Sequence, residues 1–254
     1  MKKTRIDKLL IEKGLADSRQ KAQALILEGK VIANGQKIKK AGMLVLQDSE
    51  IQIIEDKIPF VSRGGLKLES ALKEFNISVK EKIAMDVGAS SGGFTDCLLK
   101  YGAKKVYAVD VGYGQLAWSL RRDSRVVPME RINIRYMERS LVKENIDIAT
   151  VDTSFISLEK VLPAIKNFLG SKGEIIALIK PQFEVGMGEV GKGGVVREED
   201  KRVKVLEKIK TLAEGLGLKV LGLMRSPIMR RKGNVEYLIY LRMKQTHETM
   251  CKEN

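Results

Sequence analysis

The segment from Ile83 to Thr95, IAMDVGASSGGFT, constrains the fold more than any other part of the chain. Its first five residues form a short apolar run, which is typical of a buried strand. The run leads into a turn with Gly88, Gly92 and Gly93, and the following FTDCLLK has helical character. A strand, a glycine turn and a helix in this order are typical of the first βα unit of a nucleotide-binding sheet. A tight turn without any ligand is the alternative interpretation of the same glycines.

Strand and helix patterns alternate after this segment. Further strands are predicted at KVYAVDV, RVVPM, IDIATVD and GEIIALIK, and then, after a clear amphipathic helix from about residue 198, at LKVLGLMRS and VEYLIYLRM. Such alternation predicts an α/β domain with an open, mostly parallel sheet that helices cover on both faces. The glycine-rich segment 182–197 is predicted to be a mobile loop.

The N-terminal part of the chain has a different pattern. RIDKLLIEK and SRQKAQALILEG are predicted helices, the second capped by Asp17 or Ser18, and Asn34-Gly35 predicts a hairpin between two short strands. A further strand, EIQII, completes a small α+β module that holds no catalytic constellation. The predicted domains are therefore 1–57, a linker at 58–63, the α/β domain at 64–243 and a disordered tail at 244–254.

Composition limits the chemistry. The formal net charge of +14 favours a polyanionic partner, with nucleic acid ahead of a membrane surface, although basic composition alone decides little. The only histidine, His247, lies in the polar tail, and there are two cysteines, so most zinc, Ser-His and Cys-His chemistry is excluded. Any general base must then be Lys, Asp, Glu or Tyr. Because no apolar run reaches membrane-spanning length and no signal peptide is evident, we expect a cytoplasmic protein.

The glycine spacing also bears on the ligand. It departs from the G-x-G-x-x-G of dinucleotide-binding folds, which disfavours a nicotinamide oxidoreductase. Asp110 ends the second strand, where a carboxylate accepts hydrogen bonds from the ribose of either NAD or S-adenosylmethionine. The pattern D-x-G-x-x-x-G-G-F, which begins at Asp86, favours S-adenosylmethionine. Asp86 would then lie near the ammonium group of its amino acid end.

Charged residues follow or precede several strands of the α/β domain. Asp152 and Lys180 end two strands and Glu236 opens the last one, and the carboxyl ends of parallel strands converge on one crevice. Lys67, in the first turn of the helix RGGLKLESALKEF, completes a Lys-Asp-Lys-Glu set. Simple capping of the strands is the alternative role for these side chains.

Two resemblances extend this interpretation. The run SRQKAQALILEGKVIANG resembles the alpha-L RNA-binding motif of ribosomal proteins and pseudouridine synthases. The motifs RGGLKL, DVGASSGGFTD, VDTSFISL, IKPQFE and GNVEYL are similar to those of the FtsJ-like RNA 2′-O-methyltransferases, with Ser91 where that family has Thr. The whole chain resembles the haemolysin A-type (TlyA) rRNA methyltransferases. This resemblance implies a Rossmann-like methyltransferase with a mostly parallel seven-stranded sheet, preceded by a small α+β RNA-binding domain.

The resemblance implies S-adenosylmethionine-dependent 2′-O-methylation of a cytidine ribose in ribosomal RNA. A lysine with a depressed pKa can take the hydroxyl proton or stabilise the oxyanion, and Lys180 is assigned this step. Lys67 would be a second cation near the oxygen, Glu236 would orient the lysines or the hydroxyl, and Asp152 would position Lys180 and face the sulfonium. No metal is needed, because the cofactor carries an activated methyl group.

The resemblance also assigns binding residues. The expected cofactor-binding residues are Asp86, Gly88, Ser90, Gly92, Gly93, Phe94, Asp110 and Asn133. A turn role for Asn133 and a core role for Phe94 are the alternatives. The expected RNA-binding residues are Arg19, Lys21, Lys30, Lys37 and Arg63, and a solvated basic surface is their alternative role. The segment 182–197 would close over the target nucleotide, with simple disorder as the alternative. Arg230–Lys232 could hold RNA phosphates, but a solvated turn is their default interpretation.

The expected partner is ribosomal RNA or a ribosomal subunit, with no membrane and no obligate protein partner. The short, weakly basic N-terminus favours the subgroup that modifies only the large subunit, and modification of the small subunit stays open. A non-catalytic RNA-binding or ribosome-assembly factor is the alternative function. A membrane-active haemolysin ranks below it.

Overall fold

The computed structural model describes residues 3–27, 29–54, 58–186, 188–191, 193–228 and 233–245. Arg230–Lys232, His247 and most of the predicted tail lie outside the described residues. The chain divides into two compact units, Met1–Lys57 and Ile58–Asn254.

The first unit packs two helices with five short strands. Its helices are α1 (Ile6–Glu12) and α2 (Arg19–Leu27). Its strands are β1 (Lys3–Arg5), β2 (Val31–Ala33), β3 (Gln36–Lys37), β4 (Leu44–Leu46) and β5 (Ile51–Ile53). β1 pairs with β4, and β2 lies between β3 and β5, all antiparallel.

Local chemistry explains the predicted parts of this unit. Ser18 Oγ accepts a hydrogen bond from the backbone N–H of Lys21 at 3.2 Å, so Ser18 is a cap for α2. Asn34 and Gly35 both have positive φ, as a two-residue type I′ hairpin requires, and they join β2 to β3. The pair of β1 and β4 was not predicted, because three-residue strands are too short to show a period of two.

The second unit is built on a seven-stranded sheet. Its strands are β6 (Ile83–Val87), β7 (Lys105–Asp110), β8 (Val126–Glu130), β9 (Ile146–Val151), β10 (Leu169–Ile179), β11 (Leu218–Arg225) and β12 (Tyr237–Met243). The order across the sheet is β11-β12-β10-β9-β6-β7-β8, and β12 is antiparallel to both of its neighbours while the remaining pairs are parallel. The predicted α/β class and the mostly parallel seven-stranded sheet are confirmed.

Helices cover both faces of this sheet. They are α3 (Gly64–Glu74), α4 (Gly93–Lys100), α5 (Trp118–Arg121), α6 (Leu158–Lys166), α7 (Pro181–Glu184) and α8 (Glu199–Gly215). One core packs α3 and α4 on the sheet, and the other packs α6 and α8. Along β10, Ile175 points into the second core and Ile176 into the first, which explains the continuous apolar run in this strand. Burial of each such side chain contributes roughly 1.5–3 kcal/mol.

Two segments differ from their expected form. The segment 182–197 is not simply an open loop, since it starts within α7 and its Val195 and Val196 are buried. The side-chain amide of Asn234 donates to Gly194 O at 2.7 Å and accepts from the N–H of Val196 at 3.2 Å.

In the segment predicted as a linker, Phe60 is buried and the N–H of Val61 donates to Asp96 Oδ2 at 2.8 Å. Residues 58–63 therefore pack on the second unit.

None of the helices in the described ranges is long and apolar enough to cross a membrane.

Candidate active site

The glycine turn after β6 is shaped by close backbone contacts. Gly88 has φ +84°, and a Cβ on it would lie 2.8 Å from the carbonyl oxygen of Asp152. Gly92 has φ +93°, and a Cβ there would overlap with Leu120 Cδ1. A side chain at either position would therefore combine backbone strain with a clash. The turn lets the end of β6 approach the end of β9 and leaves room above it for a ligand.

Two cavities of about 500 Å³ and 450 Å³ lie at this edge of the sheet. Both volumes lie within the range of small-molecule sites. Gly88, Ser90, Asp152 and Ser154 line both cavities, so the two form adjacent chambers with a common wall. We call the first the reaction cavity and the second the nucleoside cavity.

The nucleoside cavity combines an apolar lining with polar groups. Its apolar side chains include Ile132, Ile134 and Val161, and its polar ones include Asp110 and Asn133. A purine fits between apolar side chains, and ribose hydroxyls need an acceptor such as a carboxylate. The lining therefore fits the adenosine half of S-adenosylmethionine.

Backbone N–H groups hold both Asp110 and Asn133 in this cavity. Asp110 accepts hydrogen bonds from the N–H groups of Ser90 and Gly112, both at 2.7 Å. Asn133 Oδ1 accepts from the N–H of Arg135 at 3.2 Å, so this residue both shapes a turn and lines the cavity. These hydrogen bonds fix the orientation of both side chains.

Asp86 lies away from both cavities. It is fully buried, and it accepts hydrogen bonds from Thr95 Oγ1 at 2.7 Å and from Thr150 Oγ1 at 3.1 Å. Burial raises the pKa of Asp86 to about 7, although the two threonine hydroxyls oppose this effect. Neither cavity has Asp86 in its lining. The carboxylate thus ties α4 to β9 beneath the glycine turn, which differs from the expected direct contact with the cofactor ammonium.

The other expected cofactor residues lie around the reaction cavity. Gly88, Ser90, Gly93 and Phe94 line it, and Phe94 is also part of the core between α4 and the sheet. Gly92 acts through the shape of the turn, because it is not itself part of the lining.

The four predicted catalytic side chains meet beside the reaction cavity. Lys67 belongs to α3, Asp152 and Lys180 directly follow β9 and β10, and Glu236 directly precedes β12. Because β12 runs antiparallel to β10, its first residues lie at the edge where the parallel strands end. Lys180 Nζ lies 2.5 Å from Asp152 Oδ1, and Lys67 Nζ lies 2.6 Å from Glu236 Oε2. Lys67 Nζ and Asp152 Oδ2 are 4.0 Å apart and connect the two ion pairs.

The two ion pairs differ in their access to the cavity. Lys67 and Asp152 line the reaction cavity, while Lys180 and Glu236 are not part of its lining. The side chains of Lys180 and Glu236 are 2% and 0% exposed, against 23% for Asp152. Burial of a charge without an opposite partner would cost several kcal/mol, and here each lysine lies beside a carboxyl group. The site thus holds two lysines and two carboxyl side chains close to where a substrate would enter.

Lys180 has further hydrogen-bond acceptors next to Asp152. Its Nζ donates to Thr153 O at 2.7 Å and to Ser154 Oγ at 3.0 Å. The sequence reasoning did not single out Ser154. Its position in VDTSF, two residues after Asp152, was the signal that could have identified it.

The expected RNA-binding residues of the first unit lie on α2 and on the β2–β3 region. Arg19 Nε donates to Asp7 Oδ2 at 3.1 Å, and Arg5 contacts the same carboxylate through two nitrogens at 2.9 and 3.0 Å. These bonds, that from Arg5 first, hold the pKa of Asp7 well below its usual range, although burial opposes them. Lys21 is exposed, Lys30 is half-buried, and the side chain of Lys37 passes close to Gly29. In the second unit, exposed Arg63 lines the reaction cavity.

Among the described residues, no group of three or more His, Cys, Asp or Glu side chains is arranged to hold a metal ion.

Comparisons with known proteins agree with this arrangement. Residues 60–243 match the FtsJ-like methyltransferase family, and residues 4–51 match the S4 domain. The chain is 47% identical over 241 residues to the YqxC protein of Bacillus subtilis, covering 94% of this chain and 86% of that protein. It is 43% identical over 242 residues to the 16S/23S rRNA (cytidine-2′-O)-methyltransferase TlyA of Mycobacterium tuberculosis, covering 95% and 90%. A solved structure from Streptococcus thermophilus has a TM-score of 0.77 and 44% identity, and the match covers 97% of this chain and 90% of that one.

Proposed function

Because the chain belongs to the FtsJ-like methyltransferase family and carries an S4 domain, we propose that it methylates the 2′-oxygen of a cytidine ribose in ribosomal RNA. S-adenosylmethionine is the proposed methyl donor. Large-subunit RNA is the first proposed substrate. Small-subunit RNA is the second proposed substrate, because the Mycobacterium tuberculosis relative is named as a methyltransferase of both 16S and 23S rRNA.

One observation carries this proposal. Lys67, Asp152, Lys180 and Glu236 come from four separate parts of the chain and form two connected ion pairs, of which Lys67 and Asp152 line the reaction cavity. A lysine that can act as a base, a second lysine and a carboxylate beside a cavity suit a reaction in which a hydroxyl must lose its proton and attack a positively charged donor.

The residues around the two cavities would hold the cofactor. Asp110, Asn133 and the apolar side chains of the nucleoside cavity fit adenosine, and the glycine turn leaves space for the amino acid end. S-adenosylmethionine supplies an activated methyl group on a sulfonium. Asp152 lines both cavities, so its carboxylate can face this positive charge and the incoming ribose at the same time.

The two lysines have different roles at the ribose oxygen: Lys180 takes the proton of the hydroxyl, and Lys67 stabilises the charge that develops. A 2′-hydroxyl holds its proton tightly, and nearby positive charge stabilises the oxyanion that forms as the proton leaves. Lys67 can contact the oxygen directly, because it lines the reaction cavity. Glu236 holds Lys67 in place, and Asp152 holds Lys180, so neither side chain has to be ordered during the reaction.

Positive groups outside the site would bind the RNA backbone. Arg63 is exposed at the reaction cavity and would contact a phosphate near the target nucleotide. In the S4 domain, the guanidinium groups of Arg5 and Arg19 are half-exposed around buried Asp7 and suit phosphate binding.

The proposal is tested with methyl-labelled S-adenosylmethionine and unmethylated ribosomal subunits, each offered separately. We expect label in large-subunit RNA at a ribose whose 3′-linkage resists alkali, since a 2′-O-methyl group blocks alkaline cleavage. Label on a base, or no label in either subunit while the cofactor binds, would contradict the proposal.

A further inference from the structure

Lys180 and the substrate space are separated in this structure. The side chain of Lys180 is only 2% exposed, and neither the reaction cavity nor the nucleoside cavity has it in its lining. A base that accepts a proton from a ribose in the reaction cavity needs hydrogen-bond contact with that hydroxyl, directly or through one intermediate group. The structure provides such an intermediate group.

Ser154 connects the two places. It is exposed, it lines both cavities, and its Oγ lies 3.0 Å from Lys180 Nζ. Its hydroxyl and the carboxylate of Asp152, which is expected to face the donor, both contact Lys180 Nζ, at 3.0 and 2.5 Å.

The partners of Lys180 differ in what they can donate. The acceptors around the Lys180 ammonium include Asp152 Oδ1, Thr153 O and Ser154 Oγ at 2.5, 2.7 and 3.0 Å, and the backbone oxygen of Asp152 lies farther away at 3.4 Å. A carboxylate and a carbonyl carry no hydrogen, whereas a serine hydroxyl both donates and accepts. Once Lys180 has released one proton, its two remaining N–H groups can stay on Asp152 and Thr153. Its lone pair then faces Ser154, and the Ser154 hydroxyl can turn to donate to it.

We propose that Ser154 is a catalytic residue that relays the proton of the ribose 2′-hydroxyl to Lys180. The inference rests on the proposed 2′-O-methylation and adds a residue to it. Ser154 contacts the ribose hydroxyl in the reaction cavity, and Lys180 is the base that accepts the proton of the Ser154 hydroxyl.

The protons and electrons of the step balance. The ribose O–H bond breaks and its proton goes to Ser154 Oγ, while the Ser154 O–H proton goes to the neutral amine of Lys180. The electron pair left on the ribose oxygen forms the bond to the methyl carbon, and the pair of the carbon–sulfur bond stays on sulfur. Lys180 ends the step as an ammonium beside Asp152, and Ser154 is regenerated. Lys180 then releases its proton to solvent along the same path.

The test compares Ser154→Ala, which removes the hydroxyl, with Ser154→Thr, which keeps it. In single-turnover reactions with ribosomal subunits, we expect Ser154→Ala to slow methyl transfer about 100-fold, as loss of a proton-transfer group does. Ser154→Thr should remain within about fivefold of the wild type. Ser140→Ala is the matched control, because Ser140 is exposed and bonds to Glu138. The dissociation constants for S-adenosylmethionine and for RNA should stay within about twofold in all variants.

Rates in mixtures of light and heavy water distinguish a relay from mere positioning of Lys180. Two protons that move in the same step make the wild-type rate a curved function of the deuterium fraction of the solvent. The rate of Ser154→Ala should instead depend linearly on this fraction. A straight line for the wild type, or a Ser154→Ala rate within twofold of it, would overturn the relay while the proposed function stands. Absence of methyl transfer by the wild-type protein would overturn the proposed function and the relay together.

Discussion

Each end of the seven-stranded sheet holds a pair of Lys and Glu side chains, and the surroundings of the two pairs differ. At the carboxyl end, Glu236 pairs with Lys67 at 2.6 Å beside the reaction cavity. At the amino end, Glu174 pairs with Lys82 at 2.5 Å and also accepts hydrogen bonds from Tyr240 and Arg242. Both glutamates are largely buried and both lysines are less than one-third exposed.

The difference lies in what surrounds each pair. The amino-end pair and the other hydrogen bonds of Glu174 connect β10 and β12 to the residue that precedes β6. These contacts hold three strands together. The carboxyl-end pair lies next to the tight turn at Gly88 and Gly92, above which two cavities open. We therefore propose that the Lys-Glu pair at the amino end stabilises the structure, whereas the pair at the carboxyl end takes part in the reaction, because the backbone there leaves room for a substrate.

The largest contrast is expected between the lysines at the two ends. Lys180→Ala should lower the rate of methyl transfer about 1,000-fold or more, because it removes the proposed base, while RNA and cofactor binding persist. Lys82→Ala should leave the rate within about twofold and lower the free energy of unfolding by about 2 kcal/mol. Single-turnover kinetics and urea unfolding measure the two effects. Methyl transfer by Lys180→Ala at the wild-type rate would contradict a catalytic role for the residues at the carboxyl end.

The two glutamates should separate activity from stability in the same way. Glu236→Gln keeps the shape of the side chain but removes the charge that holds Lys67, so we expect a 10- to 100-fold slower transfer. Glu174→Gln should instead cost about 2 kcal/mol of stability, because three donors lose their anionic acceptor, with transfer unchanged. If both variants lost activity to the same extent, the proposed division between the two ends would be wrong.

Two glycines provide a smaller contrast. Gly92→Ala should weaken S-adenosylmethionine binding about tenfold, because the new methyl group meets Leu120 and distorts the turn. Gly102 also has a positive φ of +91°, but its nearest neighbour would be Lys80 Cγ at 3.4 Å. Gly102→Ala should therefore destabilise the fold by about 1 kcal/mol without a change in cofactor affinity. Calorimetric titration with the cofactor measures the affinities, and equal weakening in both variants would contradict a role for the turn.

The smallest expected effect is a pH dependence at the amino end. Burial by itself raises the pKa of Glu174, but hydrogen bonds from Lys82, Tyr240 and Arg242 outweigh it and hold the pKa below its ordinary value. A lowered pKa adds stability above the unfolded-state pKa of about 4.3, and this stability is lost as the pH falls through the folded-state value. The difference in unfolding free energy between wild type and Glu174→Gln should thus shrink between about pH 6 and pH 3. A difference that grows on acidification would contradict this assignment.

Local sequence patterns were sufficient for much of the fold. The apolar run and glycines of Ile83–Thr95, the Asn34-Gly35 hairpin and the alternation of strands and helices are short-range signals, and the structure contains each of them. Asp152, Lys180 and Glu236, which flank three strands, could also be selected from the sequence, because parallel strands place their carboxyl ends at one edge. Lys67 lies in a helix, and its motif RGGLKL was selected through the family resemblance.

The connections between distant residues could not be predicted in this way. Lys67 and Glu236 are 169 positions apart, and no local pattern specifies that they pair with each other while Lys180 pairs with Asp152. The inward position of Asp86 and the anchoring of Val196 by Asn234 likewise depend on which elements pack together.

The sequence by itself determined the two domain types, the parallel sheet and the identity of the polar side chains at its carboxyl edge, because these follow from local periodicity and turn chemistry. Only the tertiary structure decided that Lys67 and Asp152 face the reaction cavity while Lys180 lies behind Ser154. The physical reason is that the burial and the hydrogen-bond partners of a side chain depend on how the whole chain packs. A difference of a few ångströms in position decides whether a substrate can reach that side chain.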